Sequence, residues 1–350
     1  MHADLDFSSG INCFVGLNGE GKTNVIDSIY FLSFTKSSTN VVDSLNVRHG
    51  AEILMLKGDY DLNGVHEEIS CGMKLHQKKQ FRRGDKLYRR MSDHIGLLPL
   101  ILVSPNDQEL VTGGSESRRR FLDSVISQYK PSYLGVLQRY NKALQQRNSL
   151  LKQEDAVFDD LMDAYEHIMA ETGEEIYFER SKFIDAFIPI FQEYYSKISS
   201  NNETVGIEYT SHCQRGPLLE VIQRDRSKDF IMGYSLHGVH KDDLVMSLNG
   251  YPLKKEGSQG QSKSYLISLK LSQFNFLKET GSHTTPLLLL DDIFDKLDSE
   301  RVSNIVKLVS DSGFGQIFIT DTNRENIEGI LSMIGGSHKL FQVKGGVIES

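Results

Sequence analysis

Residues 16–23, "GLNGEGKT", contain the most informative motif of this sequence. It matches the pattern G-x-x-x-x-G-K-[ST], in which glycines allow backbone amides to approach a phosphate closely. The residues before it, "INCFV", form a predicted strand, and "TNVIDSIYFLSF", which overlaps its last residue, has the apolar spacing of a helix. A strand, a glycine-rich loop and a helix N-terminus in this order predict a phosphate-binding loop, the alternative being an ordinary glycine-rich turn.

Each residue type in this loop suits one part of bound ATP. We expect the ammonium group of Lys22 to reach the β- and γ-phosphates and the hydroxyl of Thr23 to ligate Mg²⁺. The remaining loop residues would surround the phosphates through their backbone amides. The full set of expected nucleotide-binding residues in this stretch is Gly16, Leu17, Asn18, Gly19, Glu20, Gly21, Lys22, Thr23 and Asn24.

A second acidic motif agrees with the loop. The run "TPLLLLDD" reads as a buried strand that ends in Asp291 and Asp292. An acid at the end of a strand beside a phosphate loop can hold Mg²⁺, and we expect Asp291 to do so. The next acid can orient or deprotonate an attacking water, so Asp292 is the candidate catalytic residue. The alternative is a simple helix cap or turn.

The composition limits the class of protein. Charged residues make up 25% of the 350 residues, and the formal net charge is −8. Proteins that bind nucleic acid over much of their surface are usually more basic than this one. Any DNA contact must therefore come from a local basic patch. The three cysteines show no metal-binding spacing, and no apolar run approaches the ~20 residues of a membrane helix. We expect a cytoplasmic protein without a membrane partner.

The chain divides into three parts that differ in predicted secondary structure. Residues 1–112 alternate strands and turns around one early helix, with a predicted hairpin at Asn63-Gly64 and a strand at "PLILV". Strands, "IFITD" among them, return over residues 201–350. Between them, residues 113–200 are predicted to form long amphipathic helices: one with Pro131 in its first turn, one after a possible Asp155 cap and one that Pro189 bends or ends. This pattern indicates an α/β body interrupted by an all-helical lobe. A coiled-coil arm is the alternative for the lobe, but it would be short.

The polar stretch "GSQGQ", residues 257–261, lies just before another predicted helix. A glycine-rich turn that enters a helix N-terminus is a second anion site. A protein with two such sites can hold one nucleotide between two copies of itself, with the phosphate loop from one copy and this turn from the other. The alternative is a solvated linker.

Together, "GLNGEGKTN", "GSQGQ", "LLLLDD" and "DKLD" resemble the ABC-type ATPase heads of transporters and chromosome-maintenance proteins. Two further segments, residues 104–123 ("SPNDQELVTGGSESRRRFLD") and 238–250 ("GVHKDDLVMSLNG"), are similar to patterns of the RecF family. The resemblance covers nearly the whole chain in the right order. It implies an α/β fold of the ABC-type P-loop ATPase head, with a mixed sheet, interrupted by an all-helical second lobe.

The resemblance also implies an organisation and a function. The head would comprise residues 1–112, with the phosphate loop, and 201–350, with the signature, Walker B and D-loop motifs, around the lobe 113–200. Such proteins dimerise on ATP, bind double-stranded and gapped DNA, and act with RecO and RecR to help RecA in recombinational repair, replication restart and the SOS response. Slow, DNA-stimulated ATP hydrolysis would act as a timer. Ser258, Gly260 and Gln261 would contact the nucleotide across the dimer, and Asp298 would lie at the interface.

Several positions depart from the family pattern. Val239 and Lys241 stand where the family prefers Pro and Arg, and Asn106 stands where an acid is usual. Asp321 stands near the position of the transporters' switch histidine, where a carboxylate is unfavourable unless it points away from the γ-phosphate. Gln108 is a Q-loop candidate by proximity alone. The family's usual opening strand has no counterpart in the sequence, so we expect the natural start to lie upstream.

The local basic patch is "HQKKQFRRGDKLYRRM", residues 76–91, which reads as a hairpin with an Arg-Gly-Asp turn. Its cations, with Phe81 and Tyr88 interleaved, suit contact with nucleic-acid phosphates, and the alternative is a charged edge strand that resists aggregation. The predicted DNA-binding residues are Lys78, Lys79, Arg82, Arg83, Arg89 and Arg90. Arg118, Arg119 and Arg120 are a weaker DNA candidate, and they can instead brace the two lobes.

Three other functions remain open on the sequence. The ATPase subunit of a transporter shares the motifs, but it usually carries a switch histidine, which "ITDTN" lacks. A P-loop small-molecule kinase would not need "GSQGQ". A chromosome-organising head would need far longer helical arms.

Overall fold

The fold was analysed in a computed structural model. It describes residues 2–153, 159–200, 202–280, 284–294, 297–311, 313–334 and 336–349. The expected helix cap Asp155 lies outside these residues.

Thirteen strands are present in the described residues. In chain order they are β1 (Ile11–Val15), β2 (Ile53–Leu62), β3 (Val65–Lys74), β4 (Gln80–Arg83), β5 (Lys86–Leu87), β6 (Leu100–Val103), β7 (Val205–Thr210), β8 (Asp243–Leu248), β9 (Tyr251–Pro252), β10 (Leu287–Asp291), β11 (Ile317–Asp321), β12 (His338–Lys344) and β13 (Val347–Glu349). The strands expected at "INCFV", "PLILV", "LLLLD" and "IFITD" are confirmed.

The helices lie mostly between the strands of the last third and in the middle of the chain. They are α1 (Lys22–Phe34), α2 (Glu109–Thr112), α3 (Ser115–Tyr129), α4 (Pro131–Leu150), α5 (Asp159–Ile198), α6 (Leu218–Arg224), α7 (Arg226–Met232), α8 (Leu253–Glu256), α9 (Gln259–Thr280), α10 (Ser299–Asp311) and α11 (Arg324–Ile334). None of the described helices is long and apolar enough to cross a membrane.

The main sheet joins the first and last parts of the chain. Its order is β13-β12-β1-β11-β10-β6, and every pairing is parallel except that of the edge strand β13. All five residues of β1 and of β11 are buried, as expected for parallel strands with both faces covered. Since the carboxyl ends of parallel strands share one edge, the segments after β1, β10 and β11 meet there.

Two smaller antiparallel sheets flank this body. The first has the order β2-β3-β4-β5, and its Asn63-Gly64 turn has φ values of 56° and 83°, which confirms the predicted hairpin. Its buried face packs with Phe31 and Leu32 of α1. The second sheet has the order β7-β8-β9 and lies against α5.

The middle of the chain forms the predicted helical lobe. Pro131 lies in the first turn of α4, as expected. Helix α5 is a single helix of 40 residues that runs through Pro189, so the expectation that Pro189 might end a helix was wrong. Aromatic rings of α5 pack on α9, with centroid distances of 4.9 Å for Phe183–Phe276 and 4.7 Å for Phe191–Tyr265. These contacts lie on both sides of Pro189 in the chain, where the proline removes one backbone hydrogen bond of the helix.

Buried arginines connect the lobe to the rest of the chain. Arg118 of α3 forms a bidentate pair with Asp243 at 2.5 and 3.0 Å, and Arg119 donates to the backbone oxygen of Asp242. Arg180 of α5 bonds to both Asp123 and Asp242. Arg118 and Arg119 therefore have the bracing geometry that the sequence suggested.

Candidate nucleotide-binding site

The phosphate loop is shaped by its glycines. A Cβ atom on Gly16 would lie 2.3 Å from the backbone oxygen of Val343, so no larger residue fits there. Gly21, with φ of 106°, is the N-cap of α1 and brings no capping side chain. The helix N-terminus is therefore open to an anion, as the motif predicted.

Lys22 lies inside the loop and is only 7% exposed. Its Nζ donates to the backbone oxygens of Gly16 at 2.7 Å and Leu17 at 3.0 Å. The ammonium group is thus held among the atoms that would surround a phosphate chain. Glu20 fixes the other side of the loop, because its carboxylate and backbone oxygens accept hydrogen bonds from the amides of Gly345 and Gly346.

Asp291 meets the loop at the end of β10. The Thr23 hydroxyl lies 3.3 and 3.2 Å from its two carboxylate oxygens, although the residues are 268 positions apart. The Thr320 hydroxyl donates to Oδ1 at 2.5 Å. Burial raises the pKa of Asp291, and the nearby Asp292 adds to that effect, while the two threonine hydrogen bonds oppose it.

These groups fit a magnesium ion that binds together with phosphates. Such a site uses one or two carboxylates and keeps several waters, rather than a full cage of protein ligands. In the described residues, no group of three or more His, Cys, Asp or Glu side chains could hold a metal without such a partner. Thr23 and Asp291 supply the hydroxyl and the carboxylate that the sequence assigned to this ion.

Asp292 follows directly and has left-handed backbone geometry, with φ of 51°. Its amide donates to the hydroxyl of Thr320 at 3.1 Å and to the backbone oxygen of Thr320 at 3.3 Å. One threonine therefore contacts both acids. The sequence reasoning missed Thr320, since a threonine in a strand carries no signal of its own.

Asp321 lies at the end of β11 and is buried. Its Oδ1 accepts from the amide of Asn323 at 2.7 Å. Burial raises its pKa, and Asp292 contributes further in the same direction. The Asp321 carboxylate, which the sequence places near the position of the transporters' switch histidine, thus accepts a hydrogen bond from the turn that follows β11.

The cavity beside the loop extends to a second pocket. The first is lined by Asn18, Gly19, Gly21, Lys22, Thr23, Asn24, Pro105, Asp291 and Asp292. The second shares Thr23 and Asp291 and adds Ser38, Thr39, Ser104 and Asn106. Asn106, rather than the predicted Gln108, is among the lining residues. Asp27 fixes the part of the second pocket that Ser38 lines, because its carboxylate accepts hydrogen bonds from the Ser38 amide and hydroxyl, both at 2.6 Å.

We call residues 258–261 the signature turn. Ser258 and Gln261 cap α9 reciprocally: the Gln261 amide donates to the Ser258 hydroxyl at 3.2 Å, and the Ser258 amide donates to Gln261 Oε1 at 2.8 Å. Among the described residues that line the two pockets, none belongs to this turn. The turn and the phosphate loop therefore do not form one site within a single chain.

The basic hairpin formed as predicted, but its cations fall into two groups. Lys79 pairs with Asp43 at 2.8 Å, Arg90 pairs with Asp93 at 2.9 Å, and Arg83 forms a bidentate pair with Glu67. The other three predicted DNA-binding cations, Lys78, Arg82 and Arg89, are exposed and have no ion pair within the described ranges, and the same holds for Lys86. Phe81 is fully buried, so it cannot stack on a base.

Comparison with known proteins agrees with this geometry. A protein-family profile described as "AAA domain" matches residues 2–205. An Smc head bound to the C-winged helix domain of ScpA superposes with a TM-score of 0.56 over 98% of this chain and 90% of that chain, at 14% identity, which shows the fold alone. Fold and site together define an ABC-type, SMC-like ATPase head.

More similar relatives identify the family. Proteins named "DNA replication and repair protein RecF" from Phocaeicola vulgatus and Bacteroides thetaiotaomicron are 56% and 57% identical over 347 residues, which cover 99% of this chain and 94% of each relative. The "recombination mediator protein RecF-ATP in RecFOR pathway" has a TM-score of 0.87 at 28% identity, covering 99% of this chain and 92% of that chain. The chain belongs to the RecF family.

Proposed function

We propose that this chain is an ATP-dependent DNA-binding protein of recombinational gap repair and replication-fork restart. In this proposal, two copies close on ATP and Mg²⁺, bind double-stranded DNA and gap junctions in the cytoplasm, and assist RecA loading together with RecO and RecR. Hydrolysis of ATP is slow and ends the bound state. The names of the relatives, which place RecF in DNA replication and repair and in a RecFOR pathway, support this function.

The phosphate loop supplies the binding half of the nucleotide site. Residues 16–24 wrap the phosphates, and Lys22, already held inside the loop, neutralises their charge. Thr23 and Asp291 would hold Mg²⁺, which would neutralise charge that develops on the phosphates. Asp292 orients the attacking water and accepts its proton.

The observation that carries the dimer proposal is the separation of the signature turn from the phosphate loop. Ser258 caps its own helix by accepting the Gln261 amide, so its hydroxyl hydrogen remains available as a donor. A γ-phosphate held by a second copy would receive that donor together with the amide of Gly260 in the first turn of α9. Gln261 would contribute by holding Ser258 in place through the reciprocal cap. Asp298 then lies at the same interface.

The DNA-binding surface is proposed to be the basic hairpin. Lys78, Arg82 and Arg89 carry the phosphate contacts, because their charges are not neutralised within the described chain. Lys79, Arg83 and Arg90 add to the local field, but each already has a carboxylate partner. Each phosphate that is neutralised adds close to one unit to the salt dependence of binding.

Sedimentation velocity with ATP, with ADP and without nucleotide tests the dimer. We expect a dimer only with ATP and Mg²⁺. Ser258→Asp and Ser258→Asn are a matched pair, because both side chains cap helices well but only the first places a carboxylate against the γ-phosphate. The aspartate variant should stay monomeric with ATP, whereas the asparagine variant should still dimerise. Equal dimerisation of the two variants contradicts the assignment of Ser258.

A further inference from the structure

Glu203 joins the signature turn to two other elements. Its Oε1 accepts from Gln261 Nε2 at 2.6 Å, and its Oε2 accepts from the Tyr195 hydroxyl at 2.5 Å. The same Oε2 lies 3.5 Å from Nη2 of Arg301. One carboxylate therefore connects the signature turn to the last turns of α5 and the first turn of α10.

Arg301 makes the complementary connection from the other side. Its Nη1 donates to the Ser264 hydroxyl at 2.7 Å and to the backbone oxygen of Gly260 at 3.4 Å. Its Nε lies 3.3 Å from Asp298, whose other oxygen caps the Arg301 amide at 2.8 Å. The planar guanidinium thus touches both the signature turn and Asp298, which a lysine with a single ammonium group cannot do.

The end of α5 is attached to α10 at two further points. Ser200 donates to Glu300 at 2.6 Å, and Asn304 donates to the backbone oxygen of Ile198 at 3.2 Å. The helical lobe is therefore bonded to the same short region that carries the signature turn and Asp298. A displacement of α5 would be transmitted to both.

We propose that Glu203 and Arg301 are positioning residues that hold the signature turn and the Asp298 segment of one subunit in a fixed relation, so that both meet the nucleotide of the partner copy together. This inference rests on the proposed ATP-dependent dimer. The Glu203–Arg301 separation of 3.5 Å is long for a charge-assisted hydrogen bond, so the expected contribution of this link is to geometry. The signature turn and the Asp298 segment must both be aligned with the partner's nucleotide at the same time. A displacement of either would weaken the ATP-dependent dimer.

The test compares Glu203→Gln and Arg301→Gln with the intact chain and with Glu193→Gln. The last variant removes an exposed charge of α5 that pairs only with Lys197 among the described residues. For each protein, ATP-dependent dimerisation is followed by sedimentation, the affinity for ATP is measured at concentrations where the chain is monomeric, and thermal unfolding is recorded. Arg301→Lys keeps the charge without the planar fork and separates charge from geometry.

We expect Glu203→Gln and Arg301→Gln to raise the protein concentration at half-dimerisation by about tenfold, the size of one charge-assisted hydrogen bond. The affinity of the monomer for ATP should not change, and Arg301→Lys should restore little. Dimerisation equal to that of Glu193→Gln overturns the inference, as does a parallel loss of monomer ATP affinity. If the intact chain fails to dimerise with ATP, the proposed function itself fails, and this inference with it.

Discussion

At the scale of single residues, one threonine contacts both acids of the candidate site. Thr320 donates to Asp291 and accepts from the amide of Asp292, so it holds the candidate metal ligand and the candidate catalytic acid in one arrangement. Hydrogen bonds in such a network are stronger in a buried site than in water, and a buried polar group that loses its partner destabilises the protein. Thr320 is therefore a positioning residue for the proposed hydrolysis.

Replacing Thr320 tests this role. Thr320→Val keeps the shape but removes the hydroxyl, which leaves a buried acceptor without its partner, a loss of ~1–3 kcal/mol. We expect kcat for ATP hydrolysis to fall by about tenfold to a hundredfold, with little change in ATP affinity. Thr320→Ser, which retains the hydroxyl, should recover most of the rate. Equal rates for the valine variant and the intact chain would contradict the assignment.

The raised pKa of Asp291 has a consequence for stability. Because the folded-state pKa exceeds that of the unfolded chain, the charged carboxylate destabilises the folded state at neutral pH, and this cost disappears as pH falls to the unfolded value. Asp291→Asn should therefore raise the melting temperature of the nucleotide-free protein near neutral pH, with a smaller gain at acidic pH. Thermal unfolding across that range measures the effect, and a gain that does not depend on pH would refute the cause.

At the scale of elements, the sequence was most informative where a local pattern specifies the backbone. The glycines of the phosphate loop, the Asn-Gly hairpin and the Pro131 start of α4 all formed as predicted, since each depends on nearest neighbours. The continuity of α5 through Pro189 was not predictable in this way, because it depends on tertiary packing against α9. Likewise, the pairing of Lys79 with Asp43 and of Arg83 with Glu67 depends on acids that lie far away in the sequence.

The basic hairpin gives a prediction at this scale. Combining Lys78→Gln, Arg82→Gln and Arg89→Gln removes the three predicted DNA-binding cations that make no ion pair within the described residues, so the salt slope of DNA binding should fall by about 2 to 3. The matched control combines Lys79→Gln, Arg83→Gln and Arg90→Gln, whose charges are already partly neutralised, and it should have a smaller effect. ATP affinity should be unchanged in both. Unaltered DNA affinity of the first variant at moderate salt would exclude this surface.

The helical lobe contains a buried charge cluster whose loss should be severe. Arg147 of α4 is fully buried and bonds to Glu166 at 2.8 Å and Asp229 at 2.7 Å. Removing one member leaves uncompensated buried charge, so Arg147→Ala should reduce the free energy of unfolding by ~3–5 kcal/mol. Arg139 lies on the same helix as Arg147 but pairs with Glu171 of α5 at the surface, so Arg139→Gln should cost less than ~1 kcal/mol. Urea unfolding distinguishes them, and similar losses would refute the argument.

At the scale of the whole molecule, the site is assembled by strand order. Parallel pairing of β1, β11 and β10 brings Thr23 to Asp291 across 268 positions of sequence. Motif spacing predicted that these residues would meet, because the phosphate loop and the acidic strand each have a fixed place in such folds. It did not predict Thr320, Asn106, Glu203 or Arg301, whose roles depend on the side chains that the fold brings beside them.

In the proposed function, ATP closes two copies of this chain around DNA. Fluorescence anisotropy of a labelled gapped duplex, titrated at moderate salt with ATP, with ADP and without nucleotide, measures whether DNA binding depends on this closure. We expect tight binding mainly with ATP, and loss of that binding in Ser258→Asp. Equal binding in all three nucleotide states, or no binding with ATP, would contradict the proposal.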